Sequence, residues 1–126
     1  MTYSLEFTIY GLPRMSNLGS KSHWRHAHAE AKRWQSDVVN MVGARKPPKP
    51  LERYKLTLTR YSAKEPDFDG IVRGFKSVVD GLQVAGVIAD DKISNSGPWN
   101  VSWQKASPNV GRISVRVDEV RDVREV

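Results

Sequence analysis

Four aspartates stand in two pairs, Asp67 with Asp69 and Asp90 with Asp91, and Arg73, Lys76 and Asp80 lie between the pairs. Crowded carboxylates repel and raise one another's pKa unless a cation sits among them. Oxygen-only ligands suit a hard ion, so a converged cluster of this type would take Mg²⁺, with Mn²⁺ as a substitute. Such an ion can activate a water and stabilise the leaving oxygen of a phosphodiester. A neighbouring Lys76 or Arg73 would offset charge on a phosphorane-like transition state. The same residues also have an ordinary structural use. Asp69 suits an N-cap, and Asp69–Arg73 and Lys76–Asp80 have the i,i+4 spacing of surface pairs, each contributing about 0.2–0.5 kcal/mol.

Whether the acids meet depends on the elements that carry them. A helix is expected from about Gly70 to Ala85, stopped near Gly86. On a helical wheel Asp69, Arg73, Lys76 and Asp80 fall within about 40° of one another, with Ile71, Phe75, Val78, Val79 and Leu82 opposite. A straight helix of that length holds the two Asp pairs about 24 Å apart. They can meet only if the chain beyond Gly86 returns along the helix, and the short buried strand expected at Val87–Ala89 is too short to return all the way. A third stripe, Gly70, Gly74, Ser77 and Gly81, forms a smooth flank. Interior glycines cost about 1 kcal/mol each against Ala, so something is expected to pack closely there, a strand of the same domain or a partner subunit.

The rest of the chain supplies a sheet and a second helix. Residues 3–10 alternate with Tyr3, Leu5, Phe7 and Ile9 on one face, the pattern of a half-buried strand. Residues 14–25 are basic and aperiodic and are expected to form a loop. Ala27, Ala31, Trp34, Val38, Met41 and Val42 predict a helix over about His26–Val42, ended by Gly43. The segment 45–50 is a stiff basic connector. A strand is expected over 53–61, with Tyr54, Leu56 and Leu58 inward. Two further strands, one carrying Trp99, Val101 and Trp103 and the other Ile113, Val115 and Val117, read as a hairpin turned by Ser107-Pro108-Asn109. The fold expected is a small α/β (α+β) domain: a mixed sheet packed with two main helices.

The chain has 126 residues, enough for one domain with a core over about 3–120 and a polar tail, 121–126, expected to fray. It has no cysteine, which excludes disulfides, thiolate catalysis and Cys-based zinc sites. No apolar run approaches the roughly 18 residues of a membrane span, and the first residues do not form a signal peptide. An intracellular, cytoplasmic protein with no membrane partner is expected. The net charge of +6 is uneven: residues 1–60 carry eleven basic and four acidic side chains, residues 61–126 nine and ten. A basic half points toward a polyanion, and Arg14, Lys21, Arg25, Lys32, Arg33, Arg45, Lys46 and Lys49 are the candidate phosphate contacts. His23, His26 and His28 read as surface or phosphate contacts more readily than as metal ligands. Trp24 can stack on a splayed base, Trp34 fits the helix core, and Trp99 and Trp103 fit a core or dimer interface.

Asp67-Phe68-Asp69-Gly70, then Lys76-Ser77-Val78-Val79-Asp80-Gly81-Leu82, then Gly86-Val87-Ile88-Ala89-Asp90-Asp91 follow one another in an order that resembles the RusA family of Holliday junction resolvases. The resemblance extends loosely over about 3–120 and is concentrated in 66–92. It implies a RusA-like fold and a Mg²⁺-dependent endonuclease, a symmetric homodimer that nicks two strands of a four-way DNA junction in recombination and repair. It implies Asp67, Asp69 and Asp91 as metal ligands, Asp90 as a supporting acid and Lys76 as the catalytic lysine; Arg73 is itself a candidate DNA contact. Two features depart from the family. Gly70 replaces the usual Asn, and Lys76 follows Asp69 by seven residues where four is commoner, a spacing that Arg73 occupies here. Lys76 is favoured because it keeps register with Asp80 and Leu82. The alternatives are a metal-dependent nuclease acting on other branched DNA or RNA, and a DNA-binding module whose acids serve only as caps.

Overall fold

A computed structural model describes residues 2–13 and 21–120, with the side chains of 21–27 outside that description. Strand β1 (Ser4–Tyr10) forms as its alternation requires, with Leu5, Phe7 and Ile9 buried and the residues between them exposed. It pairs antiparallel with β4 (Arg112–Glu119), and β4 pairs antiparallel on its other side with β2 (Tyr54–Ser62). Val115 thus stands between Phe7 and Leu58. Strand β3 (Asn100–Lys105) lies parallel to β2 at the edge. The order β1-β4-β2-β3 makes a mixed four-stranded sheet, and with its helices the protein is an α+β fold.

The expected hairpin between the last two strands is not formed, because β2 lies between them. Burial gives the reason. Ile113, Val115 and Val117 are wholly buried, whereas Val101 and Trp103 are half-buried. The strand with the stronger apolar face takes the central place, and the polar one becomes the edge. The connection steps across the end of β2, where the Ala106 N–H donates to the Ser62 carbonyl at 3.0 Å.

Helix α1 (Lys21–Val42) starts earlier than expected, so the C-terminal part of the predicted 14–25 loop is helical. Trp34, Val38 and Val42 are buried at i,i+4 spacing, while Met41 lies at the exposed edge of the stripe. The helix ends at Gly43, whose φ of +50° leaves the helical region. Arg45 Nη2 donates to the Met41 carbonyl at 2.7 Å, satisfying one of the last orphan acceptors.

The expected single helix 70–85 is two helices, α2 (Phe68–Gly74) and α3 (Lys76–Val84). Phe75 breaks them at φ −85°, ψ −7°. Its N–H is shared between the Ile71 and Val72 carbonyls at 3.3 and 3.1 Å, the three-centre bond of a tightened turn. Phe75 is 1% exposed, so the break follows a poor helix former, Gly74, and seats a ring in the core. The close approach expected at the glycine stripe occurs at Gly81, but the neighbour is a helix of the same chain rather than a strand or a second subunit. A Cβ on Gly81 would lie 2.8 Å from Val38 Cβ and 3.1 Å from Gln35 Cα of α1. One apolar cluster joins α1, α2, α3 and the inward face of the sheet. Among the described residues no helix is long and apolar enough to cross a membrane.

Candidate functional site

The site is organised by the end of α3. The Gly86 N–H donates to the Gln83 carbonyl at 3.1 Å and the Val87 N–H to the Leu82 carbonyl at 3.0 Å. Gly86 has φ +82°, and Leu82 and Val87 are both buried. Together these features make a Schellman close, with its glycine in the left-handed region and its apolar contact beneath. The chain then returns along the helix. Five extended residues reach about 16 Å, and the nine residues of α3 rise about 13 Å. The return is therefore long enough to bring Asp91 back to the first residue of α3, Lys76.

Three anchors hold the returning segment. The Leu51 N–H donates to the Val87 carbonyl at 2.8 Å, and the Ala89 N–H to the Leu51 carbonyl at 2.9 Å. The Val87–Ala89 strand of the sequence reading is thus an isolated parallel bridge to Leu51. Tyr54 Oη donates to the Asp90 carbonyl at 2.6 Å. Burial first, then the Asp91 and Asp90 charges, push the Tyr54 phenol up to about 12, which keeps it a donor.

Lys76 Nζ donates to Asp91 Oδ2 at 2.5 Å and to Asp80 Oδ1 at 2.9 Å. The Lys76 side chain is 57% exposed and Asp91 26%, so the cluster opens to solvent. The bond to Asp91, then that to Asp80, holds the Lys76 ammonium above its ordinary range. In return the Lys76 hydrogen bond holds the Asp91 carboxyl below its own. At neutral pH Lys76 is therefore a fixed cation, able to stabilise negative charge or donate a proton but not to act as a base.

The first Asp pair is placed elsewhere, at the start of α2. Asp67 occupies the N-cap position without a side-chain capping bond, so the cap expected at Asp69 falls on Asp67 in backbone terms alone. Asp69 lies in the first turn, 3.5 Å from Arg73 Nη2. Asp90 Oδ2 is 3.8 Å from Lys92 Nζ. Among the described residues no three His, Asp or Glu side chains are grouped closely enough to share a metal ion. The structure thus unites Lys76, Asp80 and Asp91, and it leaves Asp67 and Asp69 as a separate exposed pair one helix away.

Of the basic residues, Arg14 lies outside the described residues, as do the side chains of Lys21 and Arg25. The same holds for His23, Trp24 and His26, while His28 is exposed. Lys32 and Arg33 are exposed on α1, with Arg33 3.9 Å from Asp37. Arg45 is exposed and bonds to the Met41 and Glu6 carbonyls. Lys46 and Lys49 are exposed. Trp99 and Trp103 pack against the core, and Trp103 Nε1 donates to Ser62 Oγ at 2.9 Å. Sequence reasoning passed over Tyr54 as a site residue and passed over Arg60 entirely. Both continue the inward alternation of β2, and a polar group on an apolar face was the available signal.

No known family model matches the chain, and no curated protein does.

Proposed function

We propose that the protein is a Mg²⁺-dependent endonuclease of RusA type, a homodimer that nicks four-way DNA junctions at symmetric positions. The observation that carries this reading is the return of Asp91 onto Lys76. It joins the last part of the motif to the middle part across fifteen residues of sequence. Two symmetric nicks need two sites related by a two-fold axis, hence a pair of chains. The basic half of the chain provides charge for the DNA backbone through the exposed Lys32 and Arg33 of α1.

The donor chemistry fits the ion, since every acid in question offers hard carboxylate oxygens. By the resemblance Asp67, Asp69 and Asp91 would hold it, with Asp90 in support and Mn²⁺ as a substitute, and this requires the start of α2 to approach Asp91, from which its acid pair stands apart among the described residues. When bound, Mg²⁺ supplies charge neutralisation at the phosphate and lowers the pKa of a water. Lys76 stands where it can stabilise the negative charge that develops on the phosphoryl oxygens. Asp80 and Asp91 orient the ammonium, and Tyr54 fixes the backbone that carries Asp91.

A second reading also has an observation in its favour. Asp69, Asp90 and Asp91 each face a basic side chain, the arrangement of a DNA-binding module in which acids have only structural pairs. One assay separates the two readings: a four-way junction, a linear duplex and an RNA are each incubated with Mg²⁺ or with EDTA. Paired nicks confined to the junction, dependent on Mg²⁺ and lost in Asp67→Asn and Asp91→Asn, are expected. Junction binding without cleavage, unchanged in both variants, would establish the binding module. Cleavage of RNA or linear duplex in place of the junction would move the substrate class.

A further inference from the structure

Arg60 lies on the inward face of β2, in line with Leu56 and Leu58, and is 8% exposed. Its Nη1 donates to the Pro13 carbonyl at 3.0 Å. Among the described residues its buried Nε has no hydrogen-bond partner and no carboxylate is ion-paired with the guanidinium. A buried charge without a counter-charge is costly and is ordinarily paired. Burial presses the guanidinium toward its neutral form, yet Arg does not deprotonate in proteins. Among the described residues the charge therefore has no counter-ion.

The Arg60 side chain lines a cavity of about 340 Å³. Leu12, Ala63, Pro66 and Pro108 give it apolar walls, and the exposed Lys64 and Glu65 line it with opposite charges. Ser62, which also lines it, is already satisfied by the Lys64 carbonyl and the Trp103 indole. Among the described residues the unpartnered polar group of this lining is thus the Arg60 guanidinium, whose Nε is itself closed to solvent. Nε–H with a terminal N–H is the fork that binds two oxygens of one oxyanion. Carbon-rich walls suit the sugar or ester body attached to such a group.

We propose that this cavity is a binding site for a phosphate ester, with Arg60 as its recognition group. The site stands on the buried guanidinium and the cavity, and does not depend on nuclease activity. Its ligand can be a phosphodiester of a DNA strand or a free phosphate, and the test distinguishes them. The Arg60 Hε–Nε resonance of the ¹³C,¹⁵N-labelled protein, assigned by through-bond correlations in the wild type, is followed by NMR. Sodium phosphate is titrated against sodium chloride at matched ionic strength, and a short single-stranded oligodeoxynucleotide is titrated separately.

The resonance is expected to move saturably with phosphate and not with chloride. Arg60→Lys keeps the charge and loses the fork, so phosphate binding followed by thermal shift should weaken about tenfold or more in that variant. Movement with the oligonucleotide at lower concentration assigns the site to DNA. Movement with phosphate alone assigns it to a free phosphate. If neither probe moves the wild-type resonance beyond the chloride control, the proposal is overturned, whether or not the variant folds.

Discussion

Helices α2 and α3 each carry an acid and a base at the same spacing of four residues, yet they differ in what those pairs become. In α2 Asp69 and Arg73 make a loose contact at 3.5 Å, with side chains 79% and 58% exposed. In α3 Lys76 and Asp80 are 2.9 Å apart, and a third group, Asp91, arrives from outside the helix. Local spacing is identical, so it cannot distinguish a surface pair from a site. The difference is long-range delivery. A left-handed glycine, a return segment of the right length and a tyrosine anchor act on α3 and have no counterpart on α2.

The largest effect expected from this contrast is on cleavage. If the charge in the site comes from α3, Lys76→Met should lower the single-turnover rate on a four-way junction by about 10²–10³-fold, the cost of removing one electrostatic stabiliser. Arg73→Met should lower it by about threefold, as a phosphate contact does. Neither change should alter folding stability by more than about 1 kcal/mol, since both side chains are more than half exposed. Equal losses would erase the distinction between the helices, and a larger loss at Arg73 would transfer the role to α2.

The delivery itself can be broken without touching a charged group. Gly86→Ala forces a side chain into φ +82°, at a cost of about 1–2 kcal/mol. It should lower junction cleavage more than a stability loss of that size explains, because Asp91 depends on the turn. Unaltered cleavage would show that the return does not position Asp91. Gly81→Ala tests the packing of α3 on α1. The helix gains about 1 kcal/mol in propensity, but the new Cβ meets Val38 and the Gln35 backbone, and overpacking costs about 1–3 kcal/mol. A net loss of about 1 kcal/mol in chemical denaturation is expected, and a gain would mean that α1 and α3 can separate freely.

The same division between local and long-range explains how much could be read in advance. Leu5, Phe7 and Ile9, the Trp34–Val38–Val42 stripe and the stop at Gly86 were legible because period and cap chemistry are local properties. The order of β3 and β4 was not, since Pro108 signals a turn without saying which strand lies beyond it. Competition among apolar faces decided that, and it is a property of the whole sheet. The break at Phe75 was hidden for a related reason: its ring fits the apolar stripe of one continuous helix as well as it fits two. The meeting of Asp91 with Lys76 was half legible. The sequence made any meeting of the acid pairs conditional on a chain reversal after Gly86 and showed a return too short to reach Asp67 and Asp69, and the observed return stops one helix short of them. Arg60 was legible in principle, because alternation places it beside Leu58 on the buried face.

The smallest expected effect is the pH dependence of the α3 cluster, and its sign follows from the two shifts. Asp91 is held below 3.8 in the folded state by Lys76. Its contribution is therefore full above the unfolded value and disappears as pH falls through the lower folded value. Lys76 is held above 10.5. Its contribution is full below that value and disappears as pH rises through the higher folded one. The stability difference between wild type and Asp91→Asn should thus form a plateau across about pH 5–9 and decline at both ends. Solvent screening of a half-exposed pair keeps the plateau below about 1 kcal/mol. In Asp91→Asn the ammonium retains Asp80 and is not left bare, which lowers the plateau further. Denaturant unfolding of both proteins across the pH range checks this. A difference that instead grows toward acid would mean that Asp91 is penalised by burial more than it is held by Lys76, and α3 would then differ from α2 in place but not in kind.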